Sequence, residues 1–199
     1  PIIGEGEGVL RVTLLPEGAV SAGAKWRLLA GDWNSSGAML AVADGERTVK
    51  FMDLEGWITP PDRTVNVVRD VTNDVSATYT RLTGTVVVNV TPDNASWTVT
   101  DADGGVRNGA GDAVLENVPT GPLTVLWGGL TGYAAPEPNP ASHTVAAGGT
   151  VTLSGVYVKA VLTADFTASP RHGAAPFDVV FTDLSTSTTK PIQQWTWYF

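Results

Sequence analysis

The chain contains no cysteine, only two histidines and two methionines, and charged residues make up just 16% of its 199 positions. Without cysteine there is no disulfide framework, no thiolate zinc site and no thiol nucleophile. The two histidines, His143 and His172, stand far apart in loop-like sequence and compose neither a metal cluster nor a triad. No Gly-x-Ser-x-Gly, phosphate-loop or His-Glu-x-x-His pattern occurs. No apolar run approaches the ~18 residues that a membrane helix needs. The few charges are unbalanced, leaving a net charge of −8, which repels phosphate backbones and anionic bilayers; neither nucleic acid nor membrane insertion is expected of this segment. The chain begins at Pro1 rather than Met, as expected of a processed chain or a fragment.

What is present is β-forming. Val and Thr abound, and 22 Gly and 13 Pro cut the sequence into short pieces. β-branched side chains suit a pleated, half-buried surface, and closely spaced turn residues argue a sandwich or barrel. The organising feature is a repeat. Gly8 to Pro16 (Gly-Val-Leu-Arg-Val-Thr-Leu-Leu-Pro) returns 76 residues later as Gly84 to Pro92 (Gly-Thr-Val-Val-Val-Asn-Val-Thr-Pro). Gly45, Val49, Phe51, Gly56, Trp57 and Pro60 return at the same shift as Gly121, Val125, Trp127, Gly132, Tyr133 and Pro136. Trp97 matches Trp26, and Tyr157 matches Tyr79. A repeat of this length is a whole domain rather than a solenoid turn.

The first strand of each copy alternates: Leu10, Val12 and Leu14 face one way, Arg11 and Thr13 the other. Pro16 to Gly23 reads as a loop. Trp26 and Leu28 then point opposite to Lys25 and Arg27. Asp44-Gly45 is a turn signal, and Asn73-Asp74 reads as the turn between strands at 64–68 and 75–80. Trp26, Trp97, Phe51, Trp127, Tyr79 and Tyr157 are expected in the core, where aromatic rings supply much of a small domain's buried apolar area. The expected division is a linker at 1–7, a first sandwich module at 8–82, a second at 83–159 and a third segment at 160–199.

The Gly-Val-Leu-Arg-Val-Thr-Leu-Leu-Pro run, with Gly-Glu-Arg-Thr-Val-Lys-Phe and Gly-Trp-Ile-Thr-Pro-Pro after it, resembles a repeat of large bacterial surface and secreted proteins and is similar to PEGA-type modules. The resemblance implies an Ig-like or transthyretin-like β-sandwich without catalysis, so the fold class is all-β, with tandem sandwich modules in a row. From Val161 onward, Leu-Thr-Ala-Asp-Phe-Thr-Ala-Ser-Pro, Gly-Ala-Ala-Pro-Phe-Asp-Val-Val-Phe-Thr-Asp-Leu-Ser-Thr and Ile-Gln-Gln-Trp-Thr-Trp-Tyr-Phe resemble the N-terminal half of a PKD domain. The matching positions include Phe166, Pro170, Pro176, Phe181, Asp183, Trp195, Trp197 and Phe199. Val179, Phe181, Trp195 and Trp197 are expected to face a core there, and Thr182 and Thr196 away from it. Such a half sandwich is expected to be completed by residues beyond Phe199 or by strands from a partner.

Three aromatics stand apart from the core set. Trp33 lies in a polar Gly-Asp-Trp-Asn-Ser-Ser turn with no counterpart in the second copy, and Trp57 and Tyr133 lie at corners beside prolines. Each is a candidate for stacking on a sugar or a partner side chain; packing over the sandwich end is the alternative. Asp101 and Asp103, in Asp-Ala-Asp-Gly-Gly, are a candidate calcium pair lacking the rest of an EF-hand loop; a hairpin turn explains them equally, and no other cofactor is expected. Asn34 and Asn94 begin glycosylation sequons. The expected function is a non-catalytic spacer and adhesion region of an extracellular or cell-surface multidomain protein, meeting protein or glycan ligands or copies of itself. Two alternatives stay open: a structural subunit of a phage virion or extracellular filament, and glycan-binding accessory modules of a secreted hydrolase.

Overall fold

The computed structural model describes residues 4–189 and 191–198; Pro1–Ile3 of the expected linker, and Phe199 of the PKD-like pattern, lie outside them. The chain forms two compact units. The first consists of the residues up to Gly84 with 117–121 and 145–149. The second consists of 85–116, 122–144 and everything from 150 onward.

The first sandwich begins with β1 (Glu7–Leu15), followed by a five-residue helix α1 (Glu17–Ser21) where the sequence predicts only a loop. Then come β2 (Lys25–Leu28), β3 (Asn34–Ser35), β4 (Met39–Ala43), β5 (Gly45–Phe51), β6 (Trp57–Ile58), β7 (Arg63–Val67), β8 (Thr72–Thr78) and β9 (Thr80–Arg81). One sheet has the order β4-β1-β8, the other β3-β2-β5-β7, and β6 pairs with β9 as a small ribbon. The alternation of β1 does what its sequence dictates. Leu10, Val12 and Leu14 are buried and join Trp26, Val49, Phe51, Val67, Val75 and Tyr79 in one core. Each fully buried aliphatic side chain there contributes about 1.5–3 kcal/mol.

The second sandwich repeats this plan. Its strands are β10 (Thr83–Thr91), β11 (Ser96–Thr100), β12 (Val106–Ala110), β13 (Ala113–Pro119), β14 (Gly121–Trp127), β15 (Tyr133–Ala134), β16 (Ala141–Val145), β17 (Thr150–Val156) and β18 (Val158–Lys159). The sheets are β13-β10-β17, β12-β11-β14-β16 and the ribbon β15-β18, element for element the order of the first. β1 and β10 share one in-out burial pattern over nine residues. The expected aromatic plugs are buried in both copies: Trp26 and Tyr79 are at most 1% exposed, and Phe51, Trp97, Trp127 and Tyr157 at most 7%.

Of the two expected turns in the first sandwich, one stands where the sequence puts it and one does not. Gly45 takes φ 100° and Gly121 φ 123°, and each joins strands of different sheets, so the glycine makes a sheet-to-sheet corner. A left-handed φ is costly for any residue with a Cβ, which is why glycine stands at both corners. Asn73 and Asp74 lie inside β8, not in a turn. The turn is at 68–71, with Asp70 at φ 64°, and the Asn73 side chain ties it down by accepting from Val68 N (3.0 Å) and donating to Val68 O (3.0 Å).

Among its described residues the segment from 160 carries four short strands: β19 (Leu162–Thr163), β20 (Phe166–Ser169), β21 (Val180–Asp183) and β22 (Thr186–Ser187), paired as β19-β22 and β20-β21. Phe166, Phe181 and Trp197 form an aromatic cluster with ring centroids 5.4–6.0 Å apart. The Trp195-Thr196-Trp197 alternation forms no strand among the described residues, and Trp195 and Trp197 remain 48% and 38% exposed. With no neighbouring strand to accept its ladder bonds, an alternating sequence is not held extended in a sheet.

Candidate ligand-binding cleft

Both sandwiches carry the same side-chain-to-backbone locks. Tyr79 donates its hydroxyl to Met52 O (2.8 Å), and Tyr157 donates to the equivalent Gly128 O (2.6 Å). The Trp26 indole donates to Ser35 O (3.0 Å), and the Trp97 indole to Gly111 O (2.9 Å). Burial pushes the Tyr79 phenol above its ordinary range; the negative charge of Asp53 adds to this and the Met52 carbonyl opposes it. Burial raises Tyr157 likewise.

Outside the first core, on the outward face of β2 and β5, lies a cleft of about 480 Å³ lined by Arg27, Trp33, Lys50, Phe51, Asp53, Thr59, Pro60, Pro61 and Asp62. Register creates it. Trp26 faces Phe51 across the two strands on the inside, so Arg27 and Lys50 must be direct neighbours on the outside. The Arg27 guanidinium stacks on the Trp33 ring, 4.5 Å from its centroid. Lys50 pairs with Asp62 at 3.1 Å. Arg27 Nε is buried without a hydrogen-bond partner. The second sandwich has a cleft of about 340 Å³ that shares Trp127 and Pro136, the equivalents of Phe51 and Pro60, but is bounded by Ser142 and His143 of β16 and Thr152 and Ser154 of β17 and not by the outward residues of β11. There Asn139 closes the strand edge, accepting from Trp127 N and donating to Trp127 O, both at 2.9 Å.

Of the three aromatics proposed from sequence as binding residues, Trp33 lines the first cleft and Trp57 and Tyr133 do not. Trp57 packs partly against the first core, with the Arg81 guanidinium 5.3 Å from its ring centroid. Tyr133, half-buried, occupies the equivalent ribbon position opposite Lys159. Sequence reasoning marked Arg27 only as outward-facing and missed Lys50, Asp53 and Asp62, because their meeting depends on strand register.

Asp101 is 8% exposed. Its carboxylate accepts from the backbone N–H of Asp103 (3.1 Å) and Gly105 (2.8 Å), and from Arg107 Nη1 (3.0 Å). These bonds order the turn between β11 and β12, and Arg107 puts a positive charge on the carboxylate that a calcium ion would need. Among the described residues no group of three or more His, Asp or Glu side chains converges. No helix among them is long and apolar enough to cross a membrane.

No protein-family model matches the chain, and no curated protein matches it. Among solved structures, the Streptococcal ancillary pilin aligns with 76% of this chain and 62% of its own at a TM-score of 0.32 and 15% identity. The pilus adhesin SpaC from Lactobacillus rhamnosus GG aligns with 76% and 31% at a TM-score of 0.44 and 11% identity. The Bacillus anthracis TIE protein aligns with 90% of this chain at a TM-score of 0.50 and 13% identity, and the chain spans 43% of that protein's length. At that identity the likeness is one of fold, and it agrees with the sheets described above: the chain is an all-β protein of Ig-like β-sandwich modules.

Proposed function

We propose that this chain is a non-catalytic, force-resisting and adhesive region of a cell-surface or extracellular multidomain protein, divided into modules at 8–82 and 83–159 and a PKD-like segment from 160. One observation supports this above the rest: in each sandwich the first long strand and the last long strand are parallel neighbours. β1 runs beside β8 in seven register pairs, from Val9↔Thr72 to Leu15↔Thr78. β10 runs beside β17 in seven more, from Thr85↔Thr150 to Thr91↔Val156.

Tension along the polypeptide pulls the N-terminal end of β1 and the C-terminal end of β8 in opposite directions. In a parallel pair those ends lie at opposite limits of the ladder, so every interstrand bond is loaded at once, in shear. A hairpin pulled from its open end would instead lose its bonds one at a time. The Tyr79 and Tyr157 locks sit just past these ladders and are loaded with them.

Single-molecule stretching of the chain tests the reading. Two cooperative unfolding events are expected, each releasing roughly 250 Å of contour for the ~70 residues between the ladder ends, at ~3.6 Å per residue. Gradual, low-force extension without discrete events would refute it.

A further inference from the structure

We infer that the Arg27–Trp33 cleft of the first sandwich binds a carboxylated sugar residue, with Arg27 receiving the carboxylate. Arg27 and Lys50 face each other across β2 and β5. Like charges directly opposite on adjacent strands destabilise a sheet. Lys50 is relieved by Asp62. Arg27 is not: it makes no hydrogen bond or ion pair among the described residues, in a chain with eight excess negative charges from which to draw one.

The fold itself does not need these cations. At the matching positions of the second sandwich, one residue beyond Trp97 and one before Trp127, the facing pair is Thr98 and Leu126. Trp33 likewise has no counterpart there. What sets the first cleft apart is thus a guanidinium lying over an indole, its carbon 4.5 Å from the ring centroid, and lacking an anion. A planar carboxylate fits that fork with two parallel hydrogen bonds.

The remainder of the cleft selects the body that carries the carboxylate. Trp33 and Pro60 offer flat apolar surface, and Asp53 and Thr59 offer acceptors for hydroxyl groups. One anionic group on a hydroxyl-bearing ring matches this set. A polyanion does not, because the whole chain repels it. The site lies on a sheet face, so an extended peptide finds no free ladder there and would be read by side chains alone.

The inference rests on the surface-region reading only for where such a glycan is met. Its test is an NMR titration of the full chain, following the Trp33 indole N–H, with four probes: methyl β-glucuronide, methyl β-glucoside, acetate and an N-acetyl glutamyl amide. The glucuronide is expected to shift the Trp33 signal saturably, the glucoside to bind roughly tenfold or more weakly, and Arg27→Gln to weaken the glucuronide by a similar factor. Arg27→Lys should fall between, since it keeps the charge and loses the fork.

Equal binding of glucuronide and glucoside, an unchanged affinity in Arg27→Gln, or no shift with any probe overturns the proposal. Acetate or the glutamyl amide matching the glucuronide overturns the sugar assignment. Arg27→Gln should fold, given Thr98 at the same place in the second sandwich; unchanged Val49 and Trp26 amide shifts verify this. Loss of glucuronide binding with two cooperative unfolding events intact sinks this inference alone.

Discussion

The second sandwich should tolerate alanine at Gly155 only if Trp127 shrinks. A Cβ at Gly155 would sit 2.7–2.9 Å from three atoms of the Trp127 indole. Carbon atoms in good contact lie ~3.5–4.0 Å apart, so the ring or the strand must move by nearly 1 Å in a core whose Trp127 is 4% exposed. Overpacking of this kind costs about 1–3 kcal/mol, and the reduced freedom of alanine in the unfolded chain returns about 0.4–1 kcal/mol. Gly155→Ala is therefore expected to destabilise the second sandwich, by about 1.3 kcal/mol at the middle of these ranges and at most about 2.6 kcal/mol.

The first sandwich holds the complementary solution, Phe51 with Ala77, both buried at the matching positions. Trp127→Phe alone leaves a void. The double variant Gly155→Ala, Trp127→Phe restores the volume balance of the first copy, so the two changes should couple favourably by at least ~1 kcal/mol. Native-state hydrogen exchange at the Val125 and Leu153 amides reads the second sandwich, and Val49 and Val75 serve as unperturbed controls. In thermal unfolding each kcal/mol moves the midpoint of a domain this size by about 4–8 °C. Gly155→Ala at wild-type stability, or a double variant equal to the sum of the singles, would refute the size-compensation reasoning. Gly129→Ala, whose Cβ meets nothing within 4 Å, is the control.

The tyrosine locks predict an alkaline dependence. Tyr79 and Tyr157 have phenol pKa values raised in the folded chain, so each contributes stability that is whole below the unfolded value near ~10 and is lost as pH rises through the folded one. Tyr79→Phe should cost about 0.5–1.5 kcal/mol at neutral pH, and its deficit against wild type should shrink above pH ~10 in denaturant titrations; a constant deficit from neutral to alkaline pH would contradict the assignment. At Asp101, replacement by Asn removes the negative charge that accepts from Arg107 Nη1 and from the Asp103 and Gly105 N–H groups, and should destabilise the second sandwich by about 1–3 kcal/mol. Millimolar calcium should leave the melting temperature of the wild type unchanged, and a calcium-dependent rise would favour the calcium reading of Asp101 and Asp103.

In the two sandwiches the amino-acid sequence by itself determined the long strands, their inward faces, the duplication and the aromatic plugs; in the segment from 160 the same alternation at Trp195 to Trp197 did not yield a strand. Each of these rests on short-range information: a period of two along a strand, a glycine where the chain must turn, a bulky ring at an inward position. Leu10, Val12 and Leu14 are buried because alternation alone puts them on one face. Tertiary structure decided which strand lies beside which, since a period of two is the same for every neighbour and either direction. Nothing local says that β1 and β8 run parallel in register, or that Asn73, an apparent turn residue, clamps a turn from within a strand. For the same reason Trp33 was legible as an odd aromatic, while its partners were not. Arg27 and Lys50 stand 23 positions apart in sequence, and only the pairing of Trp26 with Phe51 places them side by side.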